Sequence, residues 1–350
     1  MTAPASGKGS FFAVDRRIWE ELCEWFNMNE VVAYLVLACG TGRDNRTTSW
    51  SSQAVHRYAG IAWERGKAAI ARLVESSYVR LAKASTTQLP RYELVPHETG
   101  ECNSSRDDLI WLPNTIVTGT SSGEPSPIHR LRSAGDLWAL RLFVDLYHAQ
   151  NLRDDGGVNP QVICENYERK MIAERGIYTI WGFRCGQKQL RWAGPLAAHK
   201  DRRSKKKGEH PVWHSIQLLE QMGLVTFIPH LFENSSPQAE PIHPYGINQT
   251  GEEPIETEIG EAADAAALQM CQEWAIEKAD NEGFEHFCPV PRTKPDVQLI
   301  GVARLRYRPH TMRTAEWYAQ LNTAGSAAIV HYTELARSQI SRDEHASKIV

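Results

Sequence analysis

The chain has 350 residues, enough for two or three domains. Its 42% hydrophobic and 23% charged residues are ordinary for a soluble globular protein. A net charge of -3 excludes a histone-like coat of positive charge but not a local basic patch.

The seven cysteines, Cys23, Cys39, Cys102, Cys164, Cys185, Cys271 and Cys288, are widely spaced and form no C-x-x-C pair. A zinc ribbon and a redox motif are therefore not indicated, and reduced thiols in a cytoplasm fit best. The opening "MTAPASGKGSFFAVDRR" lacks the apolar core of a signal peptide. The longest apolar run, "VVAYLVLACG" from Val31, is too short to span a bilayer and reads as a buried helix.

In chain order, residues 1–14 read as a tail. "DRRIWEELCEWF" carries Ile18, Leu22, Trp25 and Phe26 at helical spacing, with Asp15 as N-cap. Asn29 is the expected cap of the next helix and Gly40 its end. After a polar turn, "SSQAVHRYAGIAWERGKAAIARL" reads as two short helices with Gly60 at the turn between them. "YVRLAKASTTQLPRYELVPH" then gives two extended runs around a proline-containing turn, the signature of a hairpin. Helix, helix, short strand, helix, turn, helix, hairpin resembles a winged helix over residues 15–97. Residues 98–130 read as a linker that includes the apolar piece "LIWLPNTIV".

From Leu131 the pattern restarts. "GDLWALRLFVDLYHAQNL" is an amphipathic helix, and "RDDGGVNPQVI" parallels "RDNRTTSWSSQAV". Ile70, Leu73 and Val79 map onto Ile216, Leu219 and Val225 with a single offset of 146. The earlier match of Arg43-Asp44 to Arg153-Asp154 has an offset of 110, which implies an insertion of about 36 residues. A second winged helix carrying this insertion is expected over residues 131–250. Residues 251–350 read as an acidic, helical and strand-containing region.

The second helix of the opening pair carries the sharper chemistry. Ala69, Ile70, Leu73 and Val74 share one face and should pack inward, leaving Glu64, Arg65, Lys67, Ala68, Ala71 and Arg72 toward solvent. Small alanines let a helix approach base edges closely in the major groove. From Arg57 to Arg91 the basic residues Arg57, Arg65, Lys67, Arg72, Arg80, Lys83 and Arg91 face only Glu64 and Glu75. Trp63 stands at the helix start, to pack on a sugar or to brace the turn. Two features oppose a stable helix here. Ala62 falls at the N-cap, where alanine costs ~1 kcal/mol, and Gly66 in the first turns costs a similar amount.

A second basic run, "HKDRRSKKKGEHPVW", gathers Lys200, Arg202, Arg203, Lys205, Lys206 and Lys207 and reads as a phosphate clamp. Trp213, His214 and Gln217 follow as exposed positions of a second reading helix, and Gln can read adenine. In "VARLRYRPH", Arg304, Arg306 and Arg308 alternate with apolar residues. They either bind DNA backbone or pair with the acidic segment around Glu256, Glu258 and Glu261.

No Walker A loop, G-x-G-x-x-G or H-E-x-x-H occurs. "GTSSG" matches a nucleophile elbow by letter at Ser121, but "EPSP" stands where the elbow needs a helix. His286 and Cys288 have no partners at ligand spacing, and Asp154 and Asp155 before Gly156-Gly157 are turn chemistry.

"TSWSSQAVHRYAGIAWERGKAAIARL" and "GDLWALRLFVDLYHAQNLRDDGGVNPQ" together resemble the tandem winged-helix replication initiators, and related helix-turn-helix proteins, of plasmids, phages and integrative elements. The resemblance implies an α+β, mainly α fold with two winged-helix modules and a C-terminal α/β extension. It implies a cytoplasmic, non-enzymatic protein without cofactor or metal. Its partners would be double-stranded DNA and a second copy of the chain or other subunits, and no membrane. Its role would be replication initiation or transcriptional control on a mobile element. The alternative is a protein-interaction subunit of a larger complex.

Overall fold

A computed structural model describes residues 11–83, 85–86, 89–97, 108–120, 123–152, 156–193, 211–236, 238–247, 253–308 and 312–347. Two compact units divide the chain. The first comprises Met1–Ala149, His199–Val225 and Leu305–His310; the second comprises Gln150–Ala198, Thr226–Arg304 and Thr311–Val350. Both are discontinuous, so the cuts expected at 97, 130 and 250 do not separate them.

The first unit is built around one buried helix. Strand β1 (Phe11–Asp15) leads into α1 (Arg16–Trp25), whose N-cap Asp15 accepts from the amides of Arg17 and Ile18 at 2.9 and 3.3 Å. Helix α2 (Met28–Cys39) follows; its N-cap position is Asn27 rather than Asn29, without a side-chain cap bond, and it ends at Gly40. Every residue from Glu30 to Cys39 is buried, because α3, α4, α6 and β1 all pack on α2. A helix surrounded in this way needs no polar face, which explains the continuous apolar run.

Strand β2 (Thr47–Thr48) precedes α3 (Ser52–Ala59) and α4 (Trp63–Glu75). Strands β3 (Val79–Leu81) and β4 (Tyr92–Leu94) then complete a three-stranded antiparallel sheet in the order β2-β4-β3. The expected linker is instead part of the fold. Strand β5 (Leu109–Pro113) pairs with β1, and α5 (Thr115–Thr118) follows it. Helices α6 (Pro127–Ala134), α7 (Leu137–His148) and α8 (Pro211–Gln221) complete the unit, with Asp136 capping α7.

In the second unit, β6 (Gln150–Asn151) pairs with β7 (Gly157–Val158). The long hairpin of β8 (Ile163–Arg175) and β9 (Tyr178–Trp192) is followed by β10 (Val225–Phe232), which starts at the unit boundary, and β11 (Pro241–Pro244). Helices α9 (Pro254–Met270) and α10 (Glu273–Asn281) precede β12 (His286–Pro291) and β13 (Gln298–Leu305). Helix α11 (Met312–Ser347) packs along α9. The sheet order is β11-β10-β13-β8-β9-β12. Phe183, Tyr245, Ile259, Cys288, Leu299 and Tyr332 form part of its core.

This architecture corrects the expectation of a mainly α chain with two winged-helix modules. The described residues mix helix and strand and include a large curled antiparallel sheet. The repeat at offset 146 holds for a helix, its closing turn and the start of a strand, and no further. Ser77 (φ 64°) and Gly223 (φ 59°) are both left-handed, and Tyr78 and Leu224 donate to the carbonyls of Leu73 and Leu219 at 3.0 and 2.9 Å. After α8, however, β10 continues for eight residues into the large sheet. Among the described residues no second helix stands between β9 and α8. The shared pattern reports an amphipathic helix closed by a left-handed turn before a strand, a combination found in many folds.

Candidate nucleic-acid interface

Helices α3 and α4 meet at Gly60, whose left-handed φ of 64° closes α3. A Cβ on Gly60 would lie 2.3 Å from Nε2 of His129, so the turn is seated directly on α6. Burial pushes the His129 pKa below its ordinary value, which favours the neutral ring packed there. Ser51 caps α3 by accepting from the Gln53 amide. Ala62 is the N-cap of α4 and makes no side-chain cap bond. Gly66 is buried where α4 crosses α3, and a methyl there would sit 3.4 Å from Val55, in ordinary contact.

Gly66, Ala69, Ile70 and Leu73 form the buried face of α4. The opposite face exposes Glu64, Arg65, Ala68 and Ala71, so a bare strip of helix carries one long cation near its N-terminus. Arg65 makes no ion pair with a described residue. Lys67 lies 3.7 Å from Glu64 and 5.5 Å from the Trp63 ring centroid, and Trp63 is itself exposed. Trp63 thus braces a lysine at the helix start.

Arg72 points elsewhere. Its Nη1 donates to Oε1 of Glu30 at 2.7 Å, and its guanidinium stacks over Phe26. Glu30 is almost fully buried, so Arg72 anchors α4 to α2 instead of facing a ligand. Glu30 belongs to no motif that would single it out in the sequence. The signal available was a lone acid heading the apolar run "NEVVAYLVLAC".

On the hairpin, Arg80 and Glu93 stand directly opposite and form a two-point pair at 3.1 and 2.7 Å. Hydrogen bonding to Arg80 holds the Glu93 carboxyl below its usual range. Lys83 and Arg91 are exposed beyond this pair and make no ion pair with a described residue. Arg57 is exposed on α3, stacked over Tyr58, which stacks in turn on Trp50. Arg57, Arg65, Lys67, Lys83 and Arg91 are therefore exposed cations on α3, α4 and the β3–β4 hairpin. Between α4 and the hairpin lies a cleft of about 320 Å³, with Ile70, Ala71, Val74, Leu81 and Tyr92 among its walls.

Lys200, Arg202, Arg203, Lys205, Lys206 and Lys207 lie outside the described residues, as do Ser121, Asp154 and Asp155. On α8, His214 is exposed with Nε2 3.8 Å from Asp136, Gln217 is half-buried and Trp213 is partly exposed.

The arginine-bearing strand resolves toward pairing for one member. Arg304 is fully buried and donates to Glu256 at 2.5 Å, and its other Nη lies 3.1 Å from Nε2 of His230. Arg306 is exposed, 3.8 Å from Glu124. Cys288 is buried against Tyr332, and His286 bonds Asp264 at 3.0 Å. No helix among the described residues is long and apolar enough to cross a membrane. Comparison of the chain with protein-family models, curated proteins and solved structures finds no match.

Proposed function

We propose that the protein binds double-stranded DNA through α3, α4 and the β3–β4 hairpin, in the service of replication initiation or transcriptional control on a mobile element. One observation carries the reading. The exposed strip of α4 is reduced to Arg65, Ala68 and Ala71 beside a Glu64–Lys67 pair, while Lys83 and Arg91, without an ion pair among the described residues, extend from the hairpin. A helix stripped in this way can lie close to base edges, and flanking cations can meet phosphates. Arg65 is assigned to base edges; Arg57, Lys67, Lys83 and Arg91 are assigned to phosphates.

The test is duplex binding across a salt series. Affinity should fall steeply, with a slope of roughly 0.9 per phosphate neutralised. On a selected site, Arg65→Ala should cost about 1–3 kcal/mol of discrimination between bases. Lys83→Ala should weaken all sequences alike. Absence of duplex binding at low salt overturns the proposal.

A second reading, a protein-interaction module, is favoured by the cleft between α4 and the hairpin, whose apolar walls are Ile70, Ala71, Val74 and Leu81. Leu81 is 59% exposed there, and Leu89 on the same hairpin is 74% exposed. Retained duplex binding by Leu81→Ser together with loss by Arg65→Ala argues against it.

A further inference from the structure

The second unit contains a cleft whose origin can be traced to four prolines. Strands β11 and β12 are the opposite edges of the six-stranded sheet, yet both line one cleft. The sheet curls far enough to bring its edges around the same space, but it does not close. Each edge strand carries two prolines, Pro241 and Pro244 on β11, Pro289 and Pro291 on β12. Proline has no amide hydrogen to give and is tolerated on a sheet only at its edges or at bulges. A ladder between these two edges would lack donors on both sides, so the barrel stays open along a seam.

Helix α11 lies over the seam and supplies Ala328, His331 and Tyr332. The remaining space is about 250 Å³, walled by Leu231, Ile242, Val290 and the rings of Pro289 and Pro291. Its polar floor is saturated internally. His243 Nδ1 bonds the Pro244 carbonyl at 2.7 Å, which leaves Nε2 to accept from the Tyr332 hydroxyl at 2.8 Å. Cys288 Sγ stands 3.4 Å from the same hydroxyl. Burial pushes His243 down to about 4 and Cys288 up to about 12, so imidazole, phenol and thiol are all neutral near pH 7. A floor whose donors are spent on one another offers a ligand apolar contact only.

The rim differs. His331 is exposed at the mouth, and Lys294 lines the cleft in an ion pair with Glu233, so a ligand carboxylate reaches Lys294 by taking the place of Glu233. We infer that the seam is a binding site for a small aromatic carboxylate, its ring among the prolines and Tyr332 and its carboxylate at Lys294 and His331. An apolar cavity of ~150 Å³ already holds benzene, so this space suits one ring with a short acidic arm. Open mouths of curled sheets are recurrent places for such ligands. The inference does not depend on DNA binding, which concerns residues of the other unit.

The test uses the full chain and ligand-observed NMR with benzoate and benzyl alcohol as probes. Both should give saturable binding. Ala328→Trp, which fills the space from α11, should abolish both while the melting temperature holds. Should Ala328→Trp fail to fold, Ile242→Phe fills the space from β11 and is read in its place. Lys294→Met should weaken benzoate about five-fold and leave benzyl alcohol unchanged. No saturable binding of either probe, or binding indifferent to the filling variants, overturns the site. Binding of benzyl alcohol alone overturns the carboxylate assignment.

Discussion

Arg72 on α4 donates to Glu30 on α2 across 2.7 Å, so a cation on the helix proposed to read DNA is spent inside the protein. Glu30 is buried, and its second carboxylate oxygen has no hydrogen-bond partner among the described residues. The pair fixes α4 on the central helix of its unit. It also separates two arginines that look equivalent on a helical wheel.

Arg72→Ala should therefore lower stability by about 1–3 kcal/mol, because it strands a buried carboxylate. Arg65→Ala should change stability by no more than ~0.5 kcal/mol, as expected of an exposed position, and should instead reduce duplex discrimination. Urea titration and duplex binding on both variants separate the roles. Equal stability losses would show that Arg65 is also structural.

Gly60 and Gly66 should respond to alanine with opposite signs. Gly60→Ala puts a Cβ at positive φ and 2.3 Å from His129, and should cost about 1–2 kcal/mol or more. Gly66→Ala meets Val55 at 3.4 Å, an ordinary contact, and removes the helical penalty of glycine. It should stabilise by about 0.5–1 kcal/mol. Thermal melts of the two variants decide this.

Arg304 and Glu256 form an ion pair with no exposed side-chain surface. Arg304→Ala should cost about 3–5 kcal/mol, since it removes the guanidinium paired with a fully buried carboxylate. The double variant Arg304→Met, Glu256→Leu should recover much of the loss, because both desolvation penalties vanish together. A double variant no better than the single one would assign Glu256 a further role, consistent with its second bond, to the Glu253 amide at 3.2 Å.

Stability should fall as pH drops below about 6.5. Burial, followed by the nearby Arg304 charge, pushes His230 down to about 3, and burial pushes His243 down to about 4. Both folded-state values lie below the ordinary histidine value, so the unfolded chain binds the extra protons. The stability these groups allow is complete above about 6.5 and is lost progressively toward the folded values. The slope is about 1.4 kcal/mol per pH unit for each histidine while only the unfolded state is protonated. Urea midpoints at pH 7 and pH 5 should show it, and His243→Asn should reduce it. An unchanged slope in that variant would remove His243 from the account.

Elements whose causes are local are legible in the sequence alone. Asp15 caps α1 because its carboxylate reaches two free amides two and three residues on. Gly60 ends α3 because the turn needs a left-handed residue, and the run from Val31 to Cys39 forms a buried helix because it has no polar face. The exposed strip of α4 was legible from its 3.6-residue period. Features that depend on distant partners emerge only once the chain is folded. Arg72 looked like a solvent cation until α2 brought Glu30 beside it. The arginines of "VARLRYRPH" alternate identically, yet Arg304 is buried on Glu256 while Arg306 is exposed. The echo at offset 146 preserved a helix, a left-handed turn and a strand start, and nothing in those few residues states how far a strand runs or what pairs with it. Strand pairing is set by long-range register, so β10 joined a curled six-stranded sheet where the short pattern had suggested a second wing.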